Sequence, residues 1–155
     1  MAVCLRGIMN EKFLKMAIKE SMLSVENGSS PFGAVIVKNN KVVSKAHNTV
    51  VPVNDATAHA EVNAIRQAGK VLNTFDLSDC ILYTSCEPCP MCLNAIKWSN
   101  IKEVYYAATR DDADKIGFRD KQFYEKDGLN MHHIKMDEAC HVMDVWYQKK
   151  DKKEY

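Results

Sequence analysis

Three cysteines fall at three-residue spacing in Cys86-Glu87-Pro88-Cys89-Pro90-Met91-Cys92, and a histidine and a glutamate stand two residues apart in His59-Ala60-Glu61. Thiolate and imidazole are ligands that zinc takes in tetrahedral geometry, and three protein ligands leave a fourth position open to water. His59 with two of the cysteines supplies that count. A Cys-x-x-Cys at the start of a helix holds both sulfurs near free backbone N–H groups and the positive end of the dipole, which favours the thiolate. Cys89 and Cys92 suit such a turn. Cys86 and Cys89 form a rival pair at the same spacing, with Cys86 on the exit from a strand. Buried structural thiols, or a closed structural site with four protein ligands, are the blander alternatives, and neither has a use for Glu61.

His-x-Glu followed by Pro-Cys-x-x-Cys is the arrangement in which a glutamate carries protons beside a zinc-activated water without binding the metal. His59 and Glu61, then Pro88, Cys89 and Cys92, reproduce it. The chain resembles the zinc nucleobase and nucleoside deaminases of the cytidine-deaminase-like superfamily, and among them the small bacterial guanine deaminases. The resemblance runs through Pro31-Phe32-Gly33-Ala34-Val35-Ile36-Val37, Thr57-Ala58-His59-Ala60-Glu61-Val62, the segment from Cys80 to Cys92, and the terminal Lys152-Lys153-Glu154-Tyr155.

That resemblance implies a three-layer α/β/α fold around a mixed sheet of about five strands. It implies hydrolysis of guanine to xanthine and ammonia, with Zn²⁺ on His59, Cys89 and Cys92 and Glu61 as proton shuttle. Phe32, Asn48, His59, Trp98 and Asp120 would contact the purine. Tyr155 would reach the site from the exchanged C-terminus of a partner, in a homodimer that swaps residues 142–155. Two positions depart from the family pattern: Asn94 replaces a glycine after the second cysteine pair, and Arg119 stands where an acidic residue is common beside Asp120. The alternative activities are a tRNA adenosine deaminase, which shares the zinc and proton-transfer residues but needs an RNA groove, and a cytosine or nucleoside deaminase.

These residues must be carried by regular elements. Asn10 can cap a helix with Leu14, Ala17, Ile18, Met22 and Val25 on one stripe, ended by Asn27-Gly28. Residues 1–8 then read as an N-terminal extension. Phe32–Val37 and Lys41–Ala46 read as strands joined at Asn39-Asn40. Asn54-Asp55 can cap a second helix running to about Ala68, with Gly69 as its stop, which carries His59 and Glu61. A buried strand over Cys80–Thr84 leads through the cysteines into a third helix, Met91–Trp98. Val104–Ala108 reads as a further strand, Met131–Met136 as a weaker edge strand and Ala139–Lys149 as a terminal helix. Helices alternating with strands argue for an α/β layered domain.

At 155 residues, 46% hydrophobic and 26% charged, the chain has the length and composition of one globular domain. A net charge of +1, from 21 basic and 20 acidic residues, provides no broad field for a polyanion, so nucleic acid is not favoured; the resemblance implies a small purine as the partner. No continuous apolar run is long enough for a membrane span and no secretory leader pattern opens the chain, so the expected compartment is the cytoplasm. Cys4, Cys80 and Cys140 read as isolated thiols.

Overall fold

In a computed structural model of the chain, Gly33–Lys38 (β1) is buried along almost its whole length, as a strand covered on both faces must be. The structure describes residues 2–125 and 136–151, with the backbone alone for 2–9, 125 and 139. The chain divides into two units, Met1–Glu125 and Lys126–Tyr155.

In the first unit, β1 lies between Lys41–His47 (β2) and Cys80–Cys86 (β3), and Glu103–Ala108 (β4) completes the order β2-β1-β3-β4. β1 pairs antiparallel with β2 and β3, and β3 pairs parallel with β4. The β1–β2 turn forms at Asn39 (φ 50°) and Asn40 (φ 59°), the left-handed pair that a two-residue hairpin demands and asparagine tolerates.

Alternation along β1 sorts the core into two layers. Val35 and Val37 join Tyr83 of β3 and Phe13 and Ala17 of the first helix, Ala2–Glu26 (α1). Ala34 and Ile36 join Leu82 with Ala60, Ala64 and Ala68 of Ala60–Leu72 (α3) and Ile96 of Pro90–Trp98 (α4). The sheet is therefore flanked by α1 on one face and by α3 and α4 on the other. α1 crosses β1 closely: a Cβ on Gly33 would meet the Ala17 carbonyl oxygen at 2.2 Å and the Ser21 nitrogen at 2.4 Å.

Several boundaries differ from the sequence reading. α1 starts at Ala2, so Asn10 lies inside it and caps nothing; its Oδ1 accepts a 2.8 Å hydrogen bond from the Tyr83 hydroxyl. The residues expected as an extension, from position 2 onward, continue that helix. The second predicted helix is two pieces. A short Val50–Val53 (α2) ends at Asn54 in the left-handed region, and α3 begins at Ala60 with His59 as its N-cap. The Asp55 carboxylate explains the break: it accepts from both the N–H and the hydroxyl of Thr57, an Asx turn that competes with helix. α3 runs past Gly69 and stops at Asn73 (φ 52°). Four strands form the sheet among the described residues. Of the expected edge strand, 131–135 lie outside the described residues, and Met136 is the N-cap of Asp137–Gln148 (α7). No described helix is long and apolar enough to cross a membrane.

Candidate active site

Two helix N-termini supply the metal-binding groups. His59 is the N-cap of α3 and Cys89 the N-cap of α4, both extended, and neither side chain caps its own helix. Ser, Thr, Asp or Asn usually occupies such a position; a His or Cys there keeps its side chain for another task. Pro90 at the first position of α4 sets the turn that brings Cys92 to the same side. The Cys89 and Cys92 sulfurs lie 3.6 and 3.5 Å from His59 Nδ1. Tetrahedral zinc with ordinary Zn–S and Zn–N lengths separates such a pair of ligands by ~3.6 Å, so the donor set fits that ion in kind and in spacing. Among the described residues, these are the three metal-capable groups that cluster, with all ligand atoms within 4.8 Å. Cys86, the rival, ends β3 with its sulfur on the Thr109 carbonyl.

Charge follows this geometry. The hydrogen bond from the Cys92 thiol, with help from His59, holds the Cys89 thiol well below its ordinary value, while that same bond and burial push Cys92 up. The bond to Cys89 raises His59. Glu61, in the first turn of α3, is 6% exposed, and burial raises its carboxyl above the usual carboxylate range. The Thr84 hydroxyl of β3 lies 3.2 Å from Glu61 Oε1 and 3.1 Å from the Cys86 carbonyl, and so ties the carboxyl to the end of β3. A buried carboxyl held within reach of both proton states is what a proton carrier requires.

A cavity of about 180 Å³ opens over Glu61 and His59, lined also by Phe32, Asn48, Phe118, Asp120 and Phe123. Phe32 precedes β1 and meets the Phe118 ring edge-on at 4.8 Å. Asn48 follows β2 and is 2% exposed. Asp120 opens the short helix Asp120–Glu125 (α6), and burial raises its carboxyl. The structure thus brings together Phe32, Asn48, His59, Glu61 and Asp120 of the residues singled out from sequence. Trp98, in the last turn of α4, is 63% exposed and does not line the cavity. Tyr155 lies outside the described residues.

Sequence reading missed Ser30, Val50, Glu87, Phe118 and Phe123 as cavity wall, and noted Arg119 only as a departure from the family pattern. Glu87 is held by Arg110, which donates its backbone N–H at 2.9 Å to one carboxylate oxygen and its guanidinium to the other. The Arg110 guanidinium lies 3.8 Å from the Tyr124 ring centre, and the Tyr124 hydroxyl donates to the Pro88 carbonyl beside Cys89. The Glu87–Arg110 spacing of 23 residues left no local signal, whereas Phe118 and Phe123 flank a recognised Asp120 and could have been noticed. Arg119 puts a cation in the wall, 5.4 Å from the Phe123 ring centre. Asn94 is accommodated by a 2.8 Å bond from its amide to the Pro90 carbonyl.

An α/β/α sheet that delivers His and two Cys from two helix N-termini, with a buried Glu beside them, defines a zinc-dependent deaminase. The zinc-binding region of cytidine and deoxycytidylate deaminases matches residues 8–108, and the chain belongs to that family. The guanine deaminase of Bacillus subtilis (strain 168) is 45% identical over 154 residues, covering 94% of this chain and 99% of that protein. An X-ray structure of guanine deaminase from Bacillus subtilis superposes with a TM-score of 0.89 over 94% of this chain and 98% of that one. The tRNA-specific adenosine deaminase of Aquifex aeolicus (strain VF5) is 47% identical over 98 residues, a match confined to 63% of this chain and 65% of that protein.

Proposed function

We infer that the chain hydrolyses guanine to xanthine and ammonia. The observation that carries this reading is the cavity itself: Asn48 and Asp120 share a base-sized space with His59 and Glu61, walled by the paired rings of Phe32 and Phe118. Near full-length similarity to a guanine deaminase supports it.

His59, Cys89 and Cys92 hold the zinc in this reading. When bound, zinc lowers the pKa of water at its open position to about 7 and readies it for attack. In this reading Glu61 would accept a proton from the attacking water and deliver it to a ring nitrogen. It would then take the second proton from the hydroxyl added at C2 and give it to the departing amine, so one carboxyl would serve both halves of the reaction. Asn48 and Asp120 fix the purine edge by hydrogen bonds, whose loss on a mismatched base leaves buried polar groups unpaired. Phe32 and Phe118 hold the ring plane and exclude water.

Residues 142–155 cross to a second copy in this reading, placing Tyr155 over the partner's cavity. Support comes from α7 itself, where Val142, Met143, Val145, Trp146 and Tyr147 are all exposed, and from the ease with which an element that fits one subunit fits its identical neighbour. The exposed Trp98 is assigned to that closed form. Residence in the cytoplasm, in this reading, agrees with Cys80, Cys86 and Cys140 standing as unpaired thiols and with Cys89 and Cys92 serving the metal rather than a disulfide.

Ammonia release is measured from guanine, guanosine, cytosine and a tRNA anticodon stem-loop. Turnover of guanine above the other three is expected. Deamination of the tRNA with none of guanine would replace this reading with the tRNA enzyme's activity.

A further inference from the structure

α1 ends in a Schellman motif. Gly28, at φ +74°, donates its N–H to the Val25 carbonyl at 3.0 Å, and Ser29 donates its N–H to the Ser24 carbonyl at 2.9 Å. The left-handed glycine makes the chain reverse sharply, which places Ser29 immediately past the helix. From there its hydroxyl donates to Asn48 Oδ1 at 2.8 Å, nineteen residues along the chain. The Val50 N–H donates to the same oxygen at 3.0 Å. Backbone bonds hold the rest of Asn48: its N–H goes to the Phe32 carbonyl at 3.0 Å, and its own carbonyl accepts from the buried Ser24 hydroxyl at 3.0 Å.

An amide has one acceptor end and one donor end. Both donors converge on Oδ1, and Val50 N–H has no acceptor character, so a flipped amide would set N–H against N–H. The end left to the cavity is Nδ2, to which the described residues give no hydrogen-bond partner. A donor fixed at a cavity wall selects a substrate that presents an acceptor there and rejects one that presents a donor.

We propose that Ser29 is a specificity-determining positioning residue: delivered by the α1 C-cap, it locks the Asn48 amide so that a donor faces the substrate. Ser29 does not itself line the cavity, so it acts through Asn48. The proposal rests on the guanine reading above, because the locked donor needs a purine acceptor to meet.

The test uses the full-length zinc-loaded protein, with Ser29→Ala and Ser29→Thr beside wild type. Guanine turnover gives KM and kcat. Inhibition constants are measured for 2-aminopurine, 7-deazaguanine and 3-deazaguanine, each of which lacks one acceptor of guanine. Removing one of two donors to a buried oxygen costs about one ordinary hydrogen bond, so Ser29→Ala should raise KM for guanine about fivefold to tenfold. kcat should stay within about twofold, and Ser29→Thr, which keeps the hydroxyl, should restore KM. For the analogue that lacks the acceptor met by Asn48, Ser29→Ala should shift the inhibition constant by less than about twofold, because that interaction is already gone. The other two analogues should weaken as guanine does. An unchanged KM in Ser29→Ala overturns the proposal, as does equal weakening across guanine and all three analogues, which would mark a general distortion. Wild-type protein that releases no ammonia from guanine overturns the guanine reading and this proposal with it, whereas wild-type turnover with an indifferent Ser29→Ala overturns the proposal alone.

Discussion

The metal-binding half of the site and its recognition half are built in opposite ways. His59, Glu61, Cys89 and Cys92 all come from the first turns of two helices whose inward-facing residues, Ala60, Ala64, Ala68 and Ile96, are packed in the core. Their positions are fixed by helix geometry and by burial that would have to be undone to move them. Phe32, Asn48, Phe118, Asp120 and Phe123 come instead from strand ends, a turn and a short helix. Distant hydrogen bonds and ring contacts hold them: Ser29 to Asn48, Phe32 to Phe118, and Tyr124 to Pro88. On the proposed function, this difference separates reaction from substrate choice: chemistry would sit on rigid elements, and specificity where a few changed residues can alter it without disturbing the core.

The largest effect should come from the rigid half. Glu61→Gln keeps size and the capacity to accept from Thr84 but cannot exchange protons, so kcat should fall by about 10³-fold while zinc content and Tm are retained. Zinc analysis beside ammonia release reads both. A variant with near-normal turnover would show that another group carries the protons. In the recognition half, Asp120→Asn should lower guanine kcat/KM by roughly 10- to 100-fold, the value of a hydrogen bond to a charged group, with zinc again retained. Equal losses of zinc in both variants would erase the distinction between the halves.

How far each half could be read from sequence follows the same division. His59-x-Glu61 and Cys89-x-x-Cys92 are short-range patterns, legible because one helical turn converts spacing directly into geometry. The hairpin, β3, α4 and β4 were legible for a similar reason, as local patterns of alternation and turn residues. The break between α2 and α3 was not, since Asn54 serves equally as helix cap and left-handed stop, and the Asp55–Thr57 side-chain contact decides between them. Nor could Cys86 be set aside on spacing alone. A chelator should expose that distinction: removing zinc should make Cys89, the one thiol of the three held low, open to alkylation at neutral pH. Cys80 and Cys86 should stay largely unmodified, because burial pushes each of these thiols up to about 11. Peptide mass spectrometry with and without chelator reads it, and labelling of Cys86 that appears only once zinc is removed would count against its place outside the cluster. The Ser29–Asn48 and Glu87–Arg110 contacts left no sequence signal at all, because each joins residues that only the tertiary fold brings together.

The smallest expected effect lies at the base of the recognition wall, in Arg110–Lys115 (α5), which leads to Phe118 and Asp120. Thr109 caps this helix: its hydroxyl accepts from the Asp112 N–H at 3.3 Å, while the Asp112 carboxylate accepts from the Thr109 N–H at 3.0 Å and from its hydroxyl at 2.8 Å. The Thr109 N–H bond, then its hydroxyl and Lys115, lowers Asp112 from 3.8 to about 2. A carboxyl depressed in the folded state contributes stability that is fully present above its unfolded value and is lost as pH falls through the folded one. The contribution of Asp112 should therefore be constant from pH 7 down to about 4 and fade only toward pH 2. Thr109→Ala should lower Tm by about 2–4 °C, the ordinary value of one N-cap in a domain of this size. It should raise KM for guanine less than Asp120→Asn does, because it loosens the support of the wall without removing a contact to the base. Thermal melts of wild type and Asp112→Asn at pH 4, 5, 6 and 7 should differ by a constant amount. A difference that shrinks between pH 7 and 5 would show that this cap is not what holds α5.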